Sequence, residues 1–507
     1  MQTISQSQLE TLKPAAPSTL VELLRERAQQ RSFEPLFTFL SDGETEEVTL
    51  TYGELEERAR AIGWRLQFIG AESERVLLLF PPGLDYIAAF FGCLYAGAIA
   101  VPAYPPRLNK KLDRLQAIIA DAGVSVILTT SSVCQKAQPL FAQSEQLKGV
   151  RWLTVDEIDL DLAFYYEEPE IGADSIAFIQ YTSGSTSIPK GVMVTHGNLL
   201  HNEAMIKDAF RQSEQSVIVG WLPLYHDMGL IGNVLQPLYL GARCILMSPV
   251  AFLQRPYRWL SAISRYRATT SGGPNFAYEL CLRKISPEQR ASLDLSSWEV
   301  AFNGAEPIRA ATQESFAETF AACGFRPEAF QPCYGLAEAT LLVTGKHRSE
   351  LAAVKGFEQR ALEQNLLREV APEDEQARVL VSNGAPPSEQ QVRIVNPETL
   401  IECAPDEVGE VWVSGSSVTR GYWNRPEETR QTFGAYLADT GEGPFLRTGD
   451  MGFLRDAELF IAGRLKDLVI IRGLNHYPQD IELTAEGSCA ALRPGCGVAF
   501  SVEVEGE

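Results

Sequence analysis

Six residues in one short run carry the clearest chemical signal in this chain. Thr182, Ser183, Gly184, Ser185, Thr186 and Lys190 all fall within "YTSGSTSIPKG", which starts at Tyr181. Hydroxyls and backbone N–H groups at this density converge on a small volume, and glycine lets the backbone approach closely. Such a cluster suits phosphate oxygens, with Lys190 adding a point charge. The spacing is not that of the Gly-x4-Gly-Lys-Ser/Thr loop, because Pro189 precedes the lysine and Gly191 follows it. The residues alone leave a second reading open: an ordinary polar loop with a solvated lysine.

Other candidates are weaker when taken singly. Glu338, in "YGLAEAT" (334–340), suits a metal ligand or a carboxylate at a helix N-terminus equally well. His226, in "YHDMG", reads by itself as a core histidine, and Asp450, in "RTGDMG", as a turn residue. The nine cysteines form no CxxC pair and only five histidines are present, which argues against a zinc centre. The odd cysteine count and an N-terminus without an apolar signal-like core point to a reducing, cytoplasmic setting.

The elements that must position these residues alternate in type. "LTYGELEERARAIGWRL" opens with Thr51 and Glu54 in capping-box spacing, and Leu55, Ala59, Ile62 and Leu66 then share one helical face. Buried strands are predicted at 75–80, 124–130, 176–181, 217–222 and 243–247, with helical stretches between them. The fold class is therefore α/β, with mostly parallel sheets. Tyr86 to Ala103 carries no charge, yet Gly92, Gly97 and Pro102 interrupt it. A buried helix followed by a buried strand is expected there, not a membrane span.

After about Gly384 the texture becomes strand-rich and turn-rich, predicting a β-rich subdomain over 384–465. Residues 346–378 are polar and charged and read as an inserted surface segment, partly helical. "VAFSVEVEGE" (498–507) reads as a strand of an unfinished element, so a fragment of a longer protein is expected. The expected division is one large N-terminal domain, 1–465, followed by a hinge and the truncated start of a small mobile C-terminal domain, 466–507. The formal charge of −21 repels phosphate backbones and anionic lipid, so neither nucleic acid nor membrane insertion is expected.

The run around Lys190 resembles the phosphate loop of the adenylate-forming superfamily, which includes acyl-CoA synthetases, fatty acyl-AMP ligases, peptide-synthetase adenylation domains and luciferases. Further motifs of that family follow in order: "WLPLYHDMGL" (221–230), "NGAEPI" (303–308), "YGLAEAT", "RTGDMGFL" (447–454) and "GRLKDLVIIRGLNHYPQDIE" (463–482). "LYHDMGLIG", "GGPNFAYELC" (272–281) and Ser187, where most members have Gly, resemble the fatty acyl-AMP ligases. So does the long spacing of 42 residues between Thr340 and Asn383, where these enzymes carry an insertion linked to poor use of free coenzyme A.

The resemblance implies that a fatty acid is activated by ATP to an acyl-adenylate with release of pyrophosphate. The acyl group then passes to the phosphopantetheine thiol of an acyl carrier protein. Thr182, Ser183, Gly184, Ser185, Thr186 and Lys190 would hold the β- and γ-phosphates, Glu338 would ligate Mg²⁺, and Thr340 would donate to the α-phosphate. Tyr334 would stack on adenine, Gly304, Ala305 and Glu306 would line its other face and edge, and Asp450 and Arg464 would bind the ribose. His226, oriented by Asp227, would sit near the reacting carboxylate. Met228, Gly232, Phe276 and Tyr278 are expected in the wall of the acyl tunnel, and Lys466 and Asp467 at the hinge. The family's late catalytic lysine has no counterpart here, as the last lysine is Lys466, so slow adenylation is expected of this chain.

Two competing readings are an acyl-CoA synthetase and, from another class, a non-catalytic nucleotide-binding scaffold. An amino-acid-activating domain fits less well, because "LYHDMGLIG" and "VLQPLYLGA" offer an ammonium group apolar surroundings.

Overall fold

The computed structural model describes residues 16–105, 112–141, 149–182, 189–346, 351–387, 389–471, 474–489, 491–492 and 495–502. The capping-box helix forms at Tyr52–Phe68. Thr51 Oγ1 accepts from Glu54 N at 3.2 Å, and Glu54 Oε2 accepts from Thr51 N at 2.8 Å. Its face of Leu55, Ala59, Ile62 and Leu66 is buried against the helix Leu84–Tyr95. Close approach of the two helices requires glycine at position 92, where a Cβ would run into Ile62. The uncharged run from Tyr86 is thus most of a buried helix, followed by the buried strand Ile99–Ala103. Among the described residues no helix is long and apolar enough to cross a membrane.

All five expected strands form, and they enter two sheets. The six-stranded sheet runs in spatial order Arg151–Thr154, Val126–Thr129, Arg75–Leu79, Ile99–Ala103, Ile176–Thr182 and Lys190–Thr195. It is parallel except for the last pair, an antiparallel hairpin that sets Thr182 opposite Lys190. The eight-stranded sheet runs Leu342–Gly345, Phe330–Gly335, Val300–Asn303, Thr270–Gly273, Val217–Gly220, Arg243–Met247, Pro35–Leu40 and Glu47–Thr51. Its six inner strands are parallel and both edges antiparallel. Helices cover these sheets and share one large apolar core with them. Ligand sites in such sheets lie beyond the carboxyl ends of the strands.

The β-rich subdomain is a four-stranded antiparallel sheet of Gln391–Val395, Gly409–Ser414, Leu446–Arg455 and Glu458–Arg464. Segment 346–378 departs from the expected polar, partly helical insertion. Val354–Glu358, Glu369–Val370 and Ala377–Val381 form an antiparallel sheet, with a single helical turn at Gln359–Leu362. Phe357 and Leu362 are buried against Met451, Phe453 and Phe460 of the four-stranded sheet. These apolar anchors are sparse in a charged run, so packing rather than local pattern makes the strands.

The expected terminal strand is also absent over 498–502. Val498, Phe500 and Val502 are exposed, and Ala499 N donates to the Glu482 side chain, not to a strand partner. Residues 503–507 lie outside the described residues.

Candidate active site

One cavity of about 510 Å³ opens at the carboxyl ends of strands from both sheets. Thr182 and Lys190 reach it from the hairpin. His226, Met228 and Gly232 come from the turn and helix after Val217–Gly220, and Gly304 and Ala305 follow Val300–Asn303. Tyr334 and Glu338 come from the end of Phe330–Gly335 and the turn after it, while Asp450, Arg464 and Lys466 enter from the β-rich subdomain and the hinge. Ser183, Gly184, Ser185 and Thr186 lie outside the described residues.

Asp450, Arg464 and Tyr334 form one hydrogen-bonded unit. Arg464 Nε donates to Asp450 Oδ1 at 3.1 Å, and the Tyr334 hydroxyl donates to Asp450 Oδ2 at 2.7 Å. Burial raises the Asp450 carboxyl above its ordinary value, although both partners oppose the shift. Gly304 lets its backbone pack tightly against Cys333 at the cavity edge. A Cβ there would stand 2.9 Å from both the carbonyl and the sulfur of Cys333. Ala305 takes a left-handed backbone, φ 68°, the kind of strain that collects at binding sites.

Glu338 is held by two hydrogen bonds. Its carbonyl accepts from Thr419 N at 2.9 Å, its Oε1 accepts from the Tyr422 hydroxyl at 2.8 Å, and its side chain faces the cavity. Desolvation raises its carboxyl above the ordinary range, against the pull of Tyr422. Lys190 Nζ lies 2.5 Å from Glu428 Oε2 and 5.0 Å above the Tyr422 ring. His226 Nδ1 lies 2.5 Å from Asp227 Oδ1. Desolvation disfavours the imidazolium, but the Asp227 carboxylate favours it more, so His226 sits above its ordinary value.

Among the described residues no three His, Cys, Asp or Glu side chains gather into a metal cage. A single carboxylate facing an open polar cavity is nonetheless the donor set that Mg²⁺ takes when phosphate oxygens and water complete its shell. Glu338 fits that description.

Several expected positions fall elsewhere. Thr340 is buried, and its hydroxyl donates to Ser417 O at 2.6 Å, so it ties the loop beneath Glu338 and does not line the cavity. Glu306 Oε1 accepts from Phe276 N at 2.6 Å, capping the helix Asn275–Lys284 outside the cavity. Phe276 and Tyr278 sit two residues apart on that helix and so point to opposite sides. Phe276 packs edge-on against Trp221 and is 39% exposed, whereas Tyr278 is fully buried among Trp259, Phe316 and Phe330, its hydroxyl on Phe302 O. Neither lines the cavity. Asp467 is exposed in the turn Leu465–Asp467, beside the cavity-lining Lys466.

Other residues line the cavity. Ile206, Phe210, Phe302, Leu341 and Leu342 make an apolar arm that ends at Gln212, Gln236 and Thr270. Ile206 and Phe210 lie on the helix that follows the phosphate hairpin, His196–Phe210, and a buried helical face gives no sign of lining a tunnel rather than filling a core. Tyr422 was equally hidden, an aromatic in the polar stretch "SSVTRGYWNRPEE".

Known proteins match this architecture along almost the whole chain. The family model for AMP-binding enzymes matches residues 24–423. The medium-chain-fatty-acid–acyl-carrier-protein ligase JamA of Moorena producens (strain JHB) is 52% identical over 496 residues, 97% of this chain and 84% of that protein. The ligase of the same description TtuA, from Teredinibacter turnerae, is 37% identical over 94% of this chain and 80% of its own length. The crystal structure of fatty acyl-adenylate ligase from L. pneumophila, in complex with acyl adenylate and pyrophosphate, superposes with a TM-score of 0.85 at 45% identity, covering 96% of this chain and 82% of that one. On this family match, sequence identity and superposition, the chain belongs to the AMP-binding, adenylate-forming enzymes as a fatty acyl-AMP ligase.

Proposed function

We propose that this chain activates a medium-chain fatty acid with ATP and passes the acyl group to the phosphopantetheine thiol of an acyl carrier protein in a reducing cytosol. A carboxylate oxygen attacks the α-phosphorus, and pyrophosphate leaves. The thiol sulfur then attacks the acyl carbon, its proton is lost, and AMP leaves. The observation that carries this reading is the single cavity in which Thr182, Lys190, Glu338 and the Asp450–Arg464 pair meet an apolar arm. Two anions must approach each other there, so fixed positive charge and oriented donors are the protein's contribution.

In this reading Lys190 exchanges Glu428 for the β- and γ-phosphates, while Tyr422 keeps its ring beneath the ammonium. Ser183, Gly184, Ser185 and Thr186 supply the remaining phosphate donors. Glu338 holds Mg²⁺, which supplies charge neutralisation across the phosphate oxygens. Asp450 and Arg464 take the ribose hydroxyls and Tyr334 the adenine face. His226, charged more readily beside Asp227, shields the approaching carboxylate and does not act as a base, because a carboxylic acid is already ionised near neutrality. The nine cysteines are all unpaired, in keeping with a reducing compartment.

The choice of carrier protein over coenzyme A rests on the segment 346–378. Asn475 N donates to Glu363 O at 2.9 Å, and Arg378 pairs with Asp480 at 3.0 Å, so this sheet grips the first elements after the hinge. A restrained C-terminal domain disfavours the pose that admits a small free thiol.

The test offers ATP, Mg²⁺ and a medium-chain acid and detects acyl-adenylate by mass spectrometry, then supplies holo-carrier protein or coenzyme A. Adenylate followed by carrier loading supports the reading. Efficient acyl-CoA formation favours the synthetase, and tight ATP binding without adenylate favours the scaffold. Lys190→Ala and Glu338→Ala are each expected to weaken ATP·Mg²⁺ binding roughly tenfold or more without unfolding the chain.

A further inference from the structure

The inner end of the acyl arm is polar. The side-chain amides of Gln236 and Gln212 meet at 2.8 Å, and the Gln212 amide lies 3.3 Å from Thr270 Oγ1. All three residues are buried and all three line the cavity. Behind them Glu203 is fully buried, and its carboxyl meets the Gln236 amide, while Glu203 Oε1 has no hydrogen-bond partner among the described residues. Burial raises this carboxyl well above its ordinary range. Gln236 Nε2 donates to Glu203 Oε2 and the other side of its amide meets Gln212, so a buried chain runs from Glu203 through Gln236 and Gln212 to Thr270.

The topology puts this cluster deep. Thr270 starts the strand whose other end, Gly273, lies level with Asn303, next to the nucleotide-side Gly304. Three residues of strand separate the levels, about 10 Å. That length corresponds to on the order of eight bonds of an extended hydrocarbon. Glu203, Ile206 and Phe210 recur at helical spacing on His196–Phe210, so the helix presents the brace and the apolar wall on one side.

We propose that Gln212, Gln236 and Thr270 form a polar floor that sets the chain-length limit of the acyl arm, with Glu203 as its positioning residue. The inference rests on the fatty-acid reading above. A chain that fits ends short of the amides. A longer chain must break their mutual bonds and leave buried donors against hydrocarbon, a far steeper penalty than the gain from one more buried methylene. The limit is therefore sharp, unlike that of a plain apolar tunnel, where an extra methylene is tolerated or rejected only by fit.

The test measures dissociation constants of non-hydrolysable acyl-sulfamoyl adenosines, from hexanoyl to hexadecanoyl, for the chain and its variants by calorimetry. The unaltered chain should bind members beyond the limit at least tenfold more weakly than those below it. Gln212→Ala should move the limit to longer acyl groups, with ATP binding unchanged. Glu203→Leu should blur the limit, and Glu203→Gln, which keeps a side-chain oxygen to accept from Gln236, should restore it. Variants that bind ATP normally yet keep the original length profile overturn the floor while leaving the acyl-adenylate reading intact. Failure of the unaltered chain to bind any acyl member more tightly than the adenosine sulfamate alone overturns both.

Discussion

The Tyr422 hydroxyl donates to Oε1 of Glu338 at 2.8 Å, joining the β-rich subdomain to the turn after Phe330–Gly335. The same tyrosine offers its ring to Lys190 at 5.0 Å. One side chain therefore touches both Lys190 and Glu338, the cation and the carboxylate proposed to hold the nucleotide and its metal, and each of its two contacts is separable by mutation.

Tyr422→Phe keeps the ring under Lys190 and removes the hydroxyl. A hydrogen bond to a charged group contributes roughly 1.5–3 kcal/mol. Affinity for ATP·Mg²⁺ should fall about tenfold, and affinity for ATP without the metal should change much less. Equal losses with and without Mg²⁺, measured by calorimetry, would assign Tyr422 to general packing instead.

Gly232 faces open space: a Cβ built there meets no atom within 4 Å, and the residue lines the cavity. It lies in the wide helical turn Ile231–Leu235, a local distortion common at functional sites. Gly232→Leu should fold normally and bind ATP as before, while adenylation of the longest accepted acid falls about a hundredfold. An unchanged acyl preference in a chain-length series would remove Gly232 from the tunnel.

Arg378 holds the element after the hinge by two contacts, an ion pair to Asp480 at 3.0 Å and a stacking position 4.1 Å from the Tyr477 ring. Arg378→Ala should cost roughly 2 kcal/mol locally. Hydrogen exchange over 474–488 should then speed up, and acyl-CoA formation should rise relative to carrier loading. The point substitution is a cleaner test than deleting 346–378, because Phe357 and Leu362 are core residues of the subdomain. Faster exchange without a change in thiol preference would leave the segment as a purely structural brace.

His196 is 2% exposed, and its Nδ1 accepts from Leu20 N at 3.2 Å. Burial lowers the imidazole to about 4, against an ordinary 6.5. Below 6.5 the unfolded chain binds a proton that the folded chain refuses, so this residue removes stability as pH falls from 6.5 towards 4. Between neutrality and pH 4.5 the loss is about 2–3 kcal/mol. His196→Asn, which keeps an acceptor for Leu20 N but does not titrate, should lose that much less over the same interval in urea unfolding. Identical pH dependence in the two proteins would show that His196 titrates normally.

Much of this protein is legible along the chain. Local patterns sufficed for the capping-box helix at Thr51, the five buried strands and the helix-then-strand reading of the run from Tyr86, because capping, alternation and turn chemistry act over a few residues. The motif residues Lys190, His226, Glu338, Asp450 and Arg464 were also identifiable, and they do share one cavity. Packing decided the rest. The direction of a helical face decided that Tyr278 only fills the core while Ile206 and Phe210 also line the cavity, and sparse anchors such as Phe357 made strands of a charged segment. Tyr422 meets Glu338, and Gln212 meets Gln236 and Thr270, only through contacts between residues far apart in sequence. Short-range pattern fixes what a segment is, whereas which side chains face one another depends on how sheets and helices stack, and that is determined only once the whole core closes.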